Sequence, residues 1–206
     1  MSLRLSKYLN DLQNGAHQFE RININGKKST TFWERNQRRI ICFIPSILMI
    51  FFLKKGFSTD FVAYASTALS ILIGLFTTSI IFIFDRYKPI KTDTANSQEK
   101  LWDTQAFNYT KQFAYITGYC IVLCVYALIL LSFSALFKEL FHTNIYNYHL
   151  NLQHVNLESI CNLLIVGCVI IQRFFVTYWL VGIVYNTLFA ISSMVKFMVV
   201  NIERND

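Results

Sequence analysis

The sequence predicts an all-α fold: a polytopic membrane helical bundle of about four transmembrane helices, with the N- and C-termini in the cytosol. Of the 206 residues, 54% are hydrophobic and only 15% are charged, whereas a soluble domain carries about 25% charged residues. The apolar residues fall into long uncharged runs, and basic residues flank those runs unequally. This composition excludes a disordered chain, a collagen and an ordinary water-soluble domain.

The net charge of +7 belongs mainly to clusters of basic residues beside the apolar runs. Clusters in that position anchor a chain to anionic headgroups and set its orientation in the bilayer. The lipid bilayer is therefore the first expected partner, and nucleic acid is the less favoured interpretation of the charge.

A cytosolic N-terminal segment is predicted over residues 1–39. Apolar residues recur in it at steps of three and four, which predicts an amphipathic helix over 3–20. That helix is expected on the membrane surface or against the protein's own cytosolic face. Asn25-Gly26 is typical of a two-residue turn, so a small hairpin is expected after the helix.

The first two apolar runs differ in length. The first, 40–53, has only 14 residues, and a bilayer needs about 20. We expect it to extend backward through Trp33, and Pro45 predicts a kink inside it. The second, 61–84, carries no charge and is the clearest transmembrane helix of the chain.

A cytosolic loop is predicted over 85–112. Asn96 and Glu99 resemble a capping box. Helical spacing continues after them without a break, so we expect one helix of about 40 residues that includes the third span, 113–137. This helix would project beyond the bilayer.

The rest of the chain is predicted as an outer loop over 138–156, a final apolar region and a cytosolic tail over 201–206. The final region, 157–200, contains no cluster of turn-forming residues. One long helix is therefore expected there. With it, the transmembrane bundle as a whole covers 40–200.

The distribution of basic residues predicts the orientation. Eight Lys and Arg residues precede the first span, five lie between the second and third, and two follow the membrane part of the last helix. The predicted outer segments hold only three: Lys54, Lys55 and Lys138. The positive-inside rule then places both termini in the cytosol.

Arg173 is the sharpest candidate for a functional residue, because it interrupts the last apolar region. An ionisable residue at membrane depth is costly unless it is paired or hydrated. No Asp or Glu lies inside any predicted span, so Asp85 at the inner mouth is the nearest carboxylate by depth, with water or backbone carbonyls as substitutes. The alternative is a shifted helix that places Arg173 at a headgroup interface.

Small residues recur along one face of the second span. They allow helix backbones to approach closely, which favours packing within or between subunits. A bolder interpretation is that hydroxyl groups of this helix hydrate a conduction path. The residues of this candidate helix-packing and oligomer face are Ala63, Thr67, Ser70, Gly74 and Thr78.

No pattern in the chain predicts an enzyme, a cofactor or a metal site. The sequence has no Gly-rich phosphate loop, no HExxH and no GxSxG. The five cysteines form no CxxC pair, and the three histidines of the outer loop are spaced too widely for a typical metal site. Catalytic, cofactor-binding and metal-ligating residues are therefore expected to be absent.

The plan resembles the small four-span membrane components of bacterial anti-phage defence systems: the KwaA family of Kiwa systems and the membrane accessory proteins of type VI CRISPR loci. The resemblance is carried by the basic lead-in from Trp33 to Arg39, the uncharged core Ser70-Ile71-Leu72-Ile73-Gly74-Leu75-Phe76, the Asp85-Arg86 exit and the single arginine of the final helix. It implies a multi-pass protein of the bacterial inner membrane that forms oligomers and is paired with a cytosolic effector.

Two functions remain open at this point. The first is an oligomeric scaffold or sensor that recruits a cytosolic protein, which predicts a structured N-terminal segment. The second is an oligomeric pore that depolarises or permeabilises the membrane when triggered, which predicts a continuous hydrated axis. The first is favoured, because about a third of the chain is predicted to face the cytosol.

Overall fold

The computed structural model describes residues 2–21, 32–86, 97–142, 144–145 and 157–205, and this part of the chain is helical with no strand. The predicted all-α class is therefore confirmed. The elements, in chain order, are α1 (Ser2–Arg21), α2 (Phe32–Phe52), α3 (Thr59–Arg86), α4 (Ser97–Leu136), α5 (Lys138–Phe141) and α6 (Leu157–Asn205).

Among the described residues, three helices are long and apolar enough to cross a membrane. The candidate spans are Thr59–Asp85 in α3, Thr104–Leu136 in α4 and Ser159–Val199 in α6. The predicted first span falls in α2, which has 21 residues with Pro45 inside and begins one residue before Trp33. Its N-terminal half carries four charged residues, so the three candidate spans do not include it.

The two long helices have the predicted extent. The helix α4 runs for 40 residues and α6 for 49, or about 60 and 73 Å at 1.5 Å per residue. Neither contains a proline, and the apolar residues of each continue without a turn-forming cluster. Helix α1 likewise confirms the amphipathic N-terminal helix.

Some predicted features fall outside the residues that the structure describes, and one element was not predicted. The hairpin at Asn25-Gly26 and the cap at Asn96 belong to the first group. The short helix α5 begins two residues after α4 ends, inside the segment predicted as an outer loop. Its residues Lys-Glu-Leu-Phe are too few to give a periodic pattern.

The chain forms two compact units, and α3, α4 and α6 each contribute residues to both. Unit 1 comprises Met1–Arg35, Leu72–Val122 and Ile183–Asp206. Its buried apolar cluster combines residues of the three long helices, with Ile80, Phe189 and Met194 packed against it. The members of the cluster are Ile83, Ala106, Tyr109, Phe113, Ile116, Ala190 and Phe197.

Unit 2 comprises Asn36–Ile71 and Leu123–Gly182. Here α4 and α6 are antiparallel neighbours: the rings of Tyr126 and Trp179 are 5.5 Å apart. A Cβ added at Gly182 would lie 3.8 Å from both Leu123 Cδ1 and Cys42 Sγ. Unit 2 also contains a fully buried cation, Arg173.

Candidate functional site

Arg173 lies on α6 in unit 2 and has no exposed surface. Its Nη1 donates a hydrogen bond to the carbonyl oxygen of Leu53 at 2.6 Å, and its Nη2 donates to that of Phe141 at 3.4 Å. Leu53 directly follows α2, and Phe141 is the last residue of α5. The guanidinium therefore bonds to acceptors at two helix C-termini.

Helix C-termini suit a cation for two reasons. The last carbonyls of a helix have no intrahelical donor, and the backbone dipoles leave partial negative charge there. The arginine satisfies one such carbonyl on α2 and one on α5. We call this arrangement, with Gly56, the arginine clamp.

Gly56 completes the arginine clamp. Its φ of +81° is in the left-handed region that favours glycine. A Cβ at this position would overlap the carbonyl oxygen of Phe141 and lie 3.3 Å from Arg173 Nη2. A larger residue is excluded here by both backbone conformation and space, so the turn between α2 and α3 requires glycine.

The sequence left the partner of Arg173 open between a carboxylate, water and backbone carbonyls. The two hydrogen bonds described above go to backbone carbonyls. Asp85, the candidate carboxylate, is exposed and belongs to unit 1, whereas Arg173 belongs to unit 2. A guanidinium with no exposed surface also does not itself reach a headgroup.

An apolar cavity of about 380 Å³ adjoins the arginine clamp. Two residues connect the cavity with the arginine clamp. Gln172, which is 5% exposed, lies next to Arg173 in the chain, and the carbonyl oxygen of Phe141 accepts a hydrogen bond from Arg173; both residues line the cavity. The other lining residues come from the end of α4, from α5 and from α6; they include Leu130, Phe133, Phe137, Cys168, Ile171 and Phe175.

The small face of α3 is exposed. A Cβ added at Gly74 would meet nothing within 4 Å. The hydroxyls of this face donate to carbonyls of their own helix: Thr67 to Ala63, Ser70 to Ser66 and Thr78 to Gly74, at 2.9–3.0 Å. These bonds use the hydroxyl donors, and the interpretation of this face as a hydrated path stays a prediction. Its role in packing between subunits stays a prediction.

Helix α1 packs against α4, a contact that the sequence did not specify. A Cβ at Gly15 would overlap the ring of Tyr115, and one at Gly118 would lie 3.1 Å from Leu12 Cδ1. The rings of His17 and Tyr119 meet edge to face at 5.6 Å. The sequence signal for this contact was a glycine in each predicted helix, Gly15 and Gly118, because small residues allow helices to approach closely.

The N-terminal part of α1 keeps exposed side chains on more than one side of the helix after this packing. Leu5 and Tyr8 are 63% and 69% exposed, and Lys7 and Asp11 are exposed beside them. We call these four residues the α1 face. It combines apolar groups with charges of both signs.

Buried polar groups occur on the inner sides of α4 and α6. Asn186 is fully buried, and within the part of the chain that the structure describes neither of its amide atoms has a hydrogen-bond partner. The same holds for Thr117 Oγ1. No cluster of three or more His, Cys, Asp or Glu side chains among the described residues is placed to hold a metal ion. Comparisons with protein families, with curated proteins and with solved structures gave no match to this chain.

Proposed function

We propose that this protein is an oligomeric membrane scaffold or sensor that recruits a cytosolic protein partner through the α1 face, in bacterial anti-phage defence. The observation that carries the proposal is the fixed position of α1. Gly15, Gly118 and the His17–Tyr119 ring contact hold one side of the helix on α4. Leu5 and Tyr8 continue the same apolar side toward the N-terminus of the helix, where they stay exposed.

A protein partner suits this face better than a lipid surface does. Helices that lie in the membrane interface carry many Lys and Arg residues on the polar side. The α1 face instead combines Lys7 with Asp11 around an exposed aromatic residue. Aromatic anchors surrounded by mixed polar groups are typical of protein–protein interfaces.

The proposed topology has four spans, with α2 as the first and both termini in the cytosol. Under it α1 and the N-terminal part of α4 lie on the side that holds most of the basic residues. Labelling of Ser97→Cys and Asn147→Cys variants in intact cells tests this. We expect an impermeant thiol reagent to reach position 147 and not position 97; the reverse pattern would overturn the orientation.

The recruitment proposal is tested by purification from native membranes in mild detergent, followed by mass spectrometry of the proteins that co-purify. Replacing Leu5 and Tyr8 with Ala removes the exposed apolar groups, so the bound partner is expected to fall by about tenfold or more. Leu188→Ala is the control, because Leu188 is 64% exposed but lies on α6. Equal recovery of the partner with the wild-type protein, the variant that has Ala at positions 5 and 8, and Leu188→Ala would contradict the proposal.

A pore is the second candidate function. Asn186 and Thr117 favour it, because buried polar groups without a protein partner are commonly satisfied by water. Ion flux into liposomes loaded with the purified protein tests this candidate. If a conducting path hydrates the amide of Asn186, we expect Asn186→Leu to abolish flux. Liposomes that stay sealed with wild-type protein would exclude the pore.

A further inference from the structure

The apolar cavity beside the arginine clamp lies between one face of α4 and one face of α6. Its α4 wall consists of Leu130, Phe133 and Phe137, which recur at steps of three and four, and the α6 wall has the same spacing from Cys168 to Phe175. The cavity of about 380 Å³ is partly open, and its accessible wall is entirely apolar. An apolar cavity stays dry and takes apolar ligands. The occupant that fits is therefore a hydrocarbon group.

Exposed cations gather beside this cavity. Lys54 and Lys55 directly follow Leu53, whose carbonyl oxygen accepts a hydrogen bond in the arginine clamp. Lys138 directly follows Phe137 of the cavity wall. All three lysines are exposed. Because the clamp joins the ends of α2 and α5, it brings these lysines toward the same end of the cavity.

Positive charge is in excess at this place. The segments 53–60 and 138–156 hold the three lysines and two acidic residues, Asp60 and Glu139. Arg173 raises the number of basic residues to four. Basic groups at the ends of transmembrane helices bind anionic lipid headgroups. The cavity and the charges together match a ligand with a hydrocarbon chain and an anionic end.

The lysines also mark a depth in the bilayer. The apolar run 40–53 ends at Lys54, and the uncharged α4 segment 112–137 ends at Lys138. Lysine side chains at the ends of apolar spans extend to the level of the headgroups. From Lys138 the α4 wall of the cavity runs back to Leu130, about 10 Å into the span. A lipid with its headgroup at Lys138 would place a chain in that direction.

Gln172 adds a polar group at the same level. It lines the cavity next to Arg173 and is 5% exposed. In the described part of the chain its amide Nε2 has no hydrogen-bond partner. A buried donor without an acceptor calls for a ligand or water to satisfy it. The ester carbonyls of a phospholipid, which lie between the chains and the headgroup, are acceptors of that kind.

We propose that unit 2 binds one anionic phospholipid, with an acyl chain in the apolar cavity and its phosphate at Lys138 and the lysines that follow α2. The lipid fills a space that would otherwise forfeit dispersion contacts. It also links the end of α4 to α6, so the stability of unit 2 depends on the lipid that surrounds it. The proposal rests on the insertion of α4 and α6 in the bilayer and not on partner recruitment.

The first test compares two headgroups on full-length protein that has been purified and delipidated in detergent. We expect dioleoyl phosphatidylglycerol to raise the unfolding temperature with its concentration, because it binds the folded state. Native mass spectrometry should show one retained lipid per chain. Dioleoyl phosphatidylcholine, which has no net charge, should bind more weakly. Equal effects of the two lipids, or no retained lipid, would overturn the proposal.

The second test fills the cavity with a side chain. Cys168 is exposed and lines the cavity, so Cys168→Trp should weaken phosphatidylglycerol binding at least about tenfold. Ile171→Trp is a second filling variant, for use if the first unfolds. Leu188→Trp is the control, because Leu188 is 64% exposed on the same helix and does not line the cavity. A folded filling variant that binds the lipid like wild-type protein would overturn the proposal, as would a second copy of the chain bound there in place of lipid.

The third test removes charge. Lys138→Ala should weaken phosphatidylglycerol binding about fivefold and change phosphatidylcholine binding less, since a lysine near an anionic headgroup attracts it. Exposed Lys196→Ala, at the other end of α6, should leave both unchanged. Equal losses in the two lysine variants would contradict a headgroup site at α5. Loss of partner recruitment with unchanged lipid binding would instead contradict the proposed function alone.

Discussion

Both compact units bury apolar side chains, and among the described residues only unit 2 adds a fully buried cation. Unit 1 contains a cluster of large apolar side chains, among them Ile83, Phe113 and Phe197. Unit 2 contains a buried guanidinium whose hydrogen bonds go to carbonyls at the ends of α2 and α5. Dispersion contacts are small individually and add up gradually. A buried cation depends on a small number of hydrogen bonds, so the loss of any one of them should lower the stability of the protein.

The difference teaches how each unit should respond to substitution. Lipid tails are as apolar as leucine, so burial against protein gains mainly packing and not hydrophobic transfer. Apolar contacts are therefore expected to tolerate single losses. Loss of the cation leaves buried carbonyls without a donor, a cost that packing does not offset.

The largest expected effect is that of Arg173→Ala. Hydrogen bonds to a charged group contribute about 1.5–3 kcal/mol each, so the free energy of unfolding should fall by about 3 kcal/mol. Arg173→Lys should recover part of this, because an ammonium keeps the charge but lacks the planar fork of donors. Thermal unfolding in detergent measures both variants, with exposed Lys196→Ala as the control. A phage-plating assay at matched expression shows whether activity falls as well; wild-type stability and activity would reduce Arg173 to an anchor.

The next effect compares two glycines. Gly56→Ala should destabilise the protein by about 1–3 kcal/mol, because its φ is +81° and the added Cβ overlaps Phe141 O. Gly74→Ala should be neutral or stabilising by up to about 1 kcal/mol, since alanine favours a helix and the site is open. Unfolding in the same detergent measures both. Similar changes in the two variants would mean that the arginine clamp does not constrain the turn.

A smaller effect tests the apolar cluster. Ile116 is fully buried in it, whereas Ile81 of α3 is 63% exposed. We expect Ile116→Ala to cost about 2 kcal/mol through the cavity it leaves, and Ile81→Ala to cost less than about 0.5 kcal/mol. If the two isoleucine variants unfold at the same temperature, unit 1 is not held by its packing.

The smallest effect on the fold is expected from Gly74→Leu, since nothing lies within 4 Å of an added Cβ. Its predicted effect is on assembly: a bulky side chain would separate helices that meet along the small face of α3. Native mass spectrometry of Gly74→Leu and wild-type protein measures this. An unchanged oligomer would remove the small face from the interface.

The sequence predicted the long helices well because their signal is repeated many times. Some 40 residues of apolar spacing without proline specify α4, and the same argument specifies α6. The three candidate spans follow from composition alone. Side-chain partners are a different matter, since they depend on contacts between residues far apart in the chain.

The arginine clamp illustrates what the sequence could not specify. Arg173 was conspicuous, but every residue has a carbonyl, so nothing in the sequence distinguishes Leu53 and Phe141 as its acceptors. Gly56 was one of seven glycines, and nothing in the sequence around it indicates its φ of +81°. The close approach of α1 to α4 at Gly15 was only partly indicated, because a small residue shows where a helix can be approached but not by which helix.

The arginine clamp also has a consequence for biogenesis. Leu53 and Phe141 precede Arg173 by 120 and 32 residues, so during synthesis both acceptors exist before the arginine leaves the ribosome. The 41-residue apolar stretch contains two cations, Arg173 and Lys196, and a cation at membrane depth is costly for insertion. When the two carbonyl acceptors are already in place, the arginine is without hydrogen-bond partners only briefly during insertion. We expect the same two hydrogen bonds to fix the register of α6 against the ends of α2 and α5.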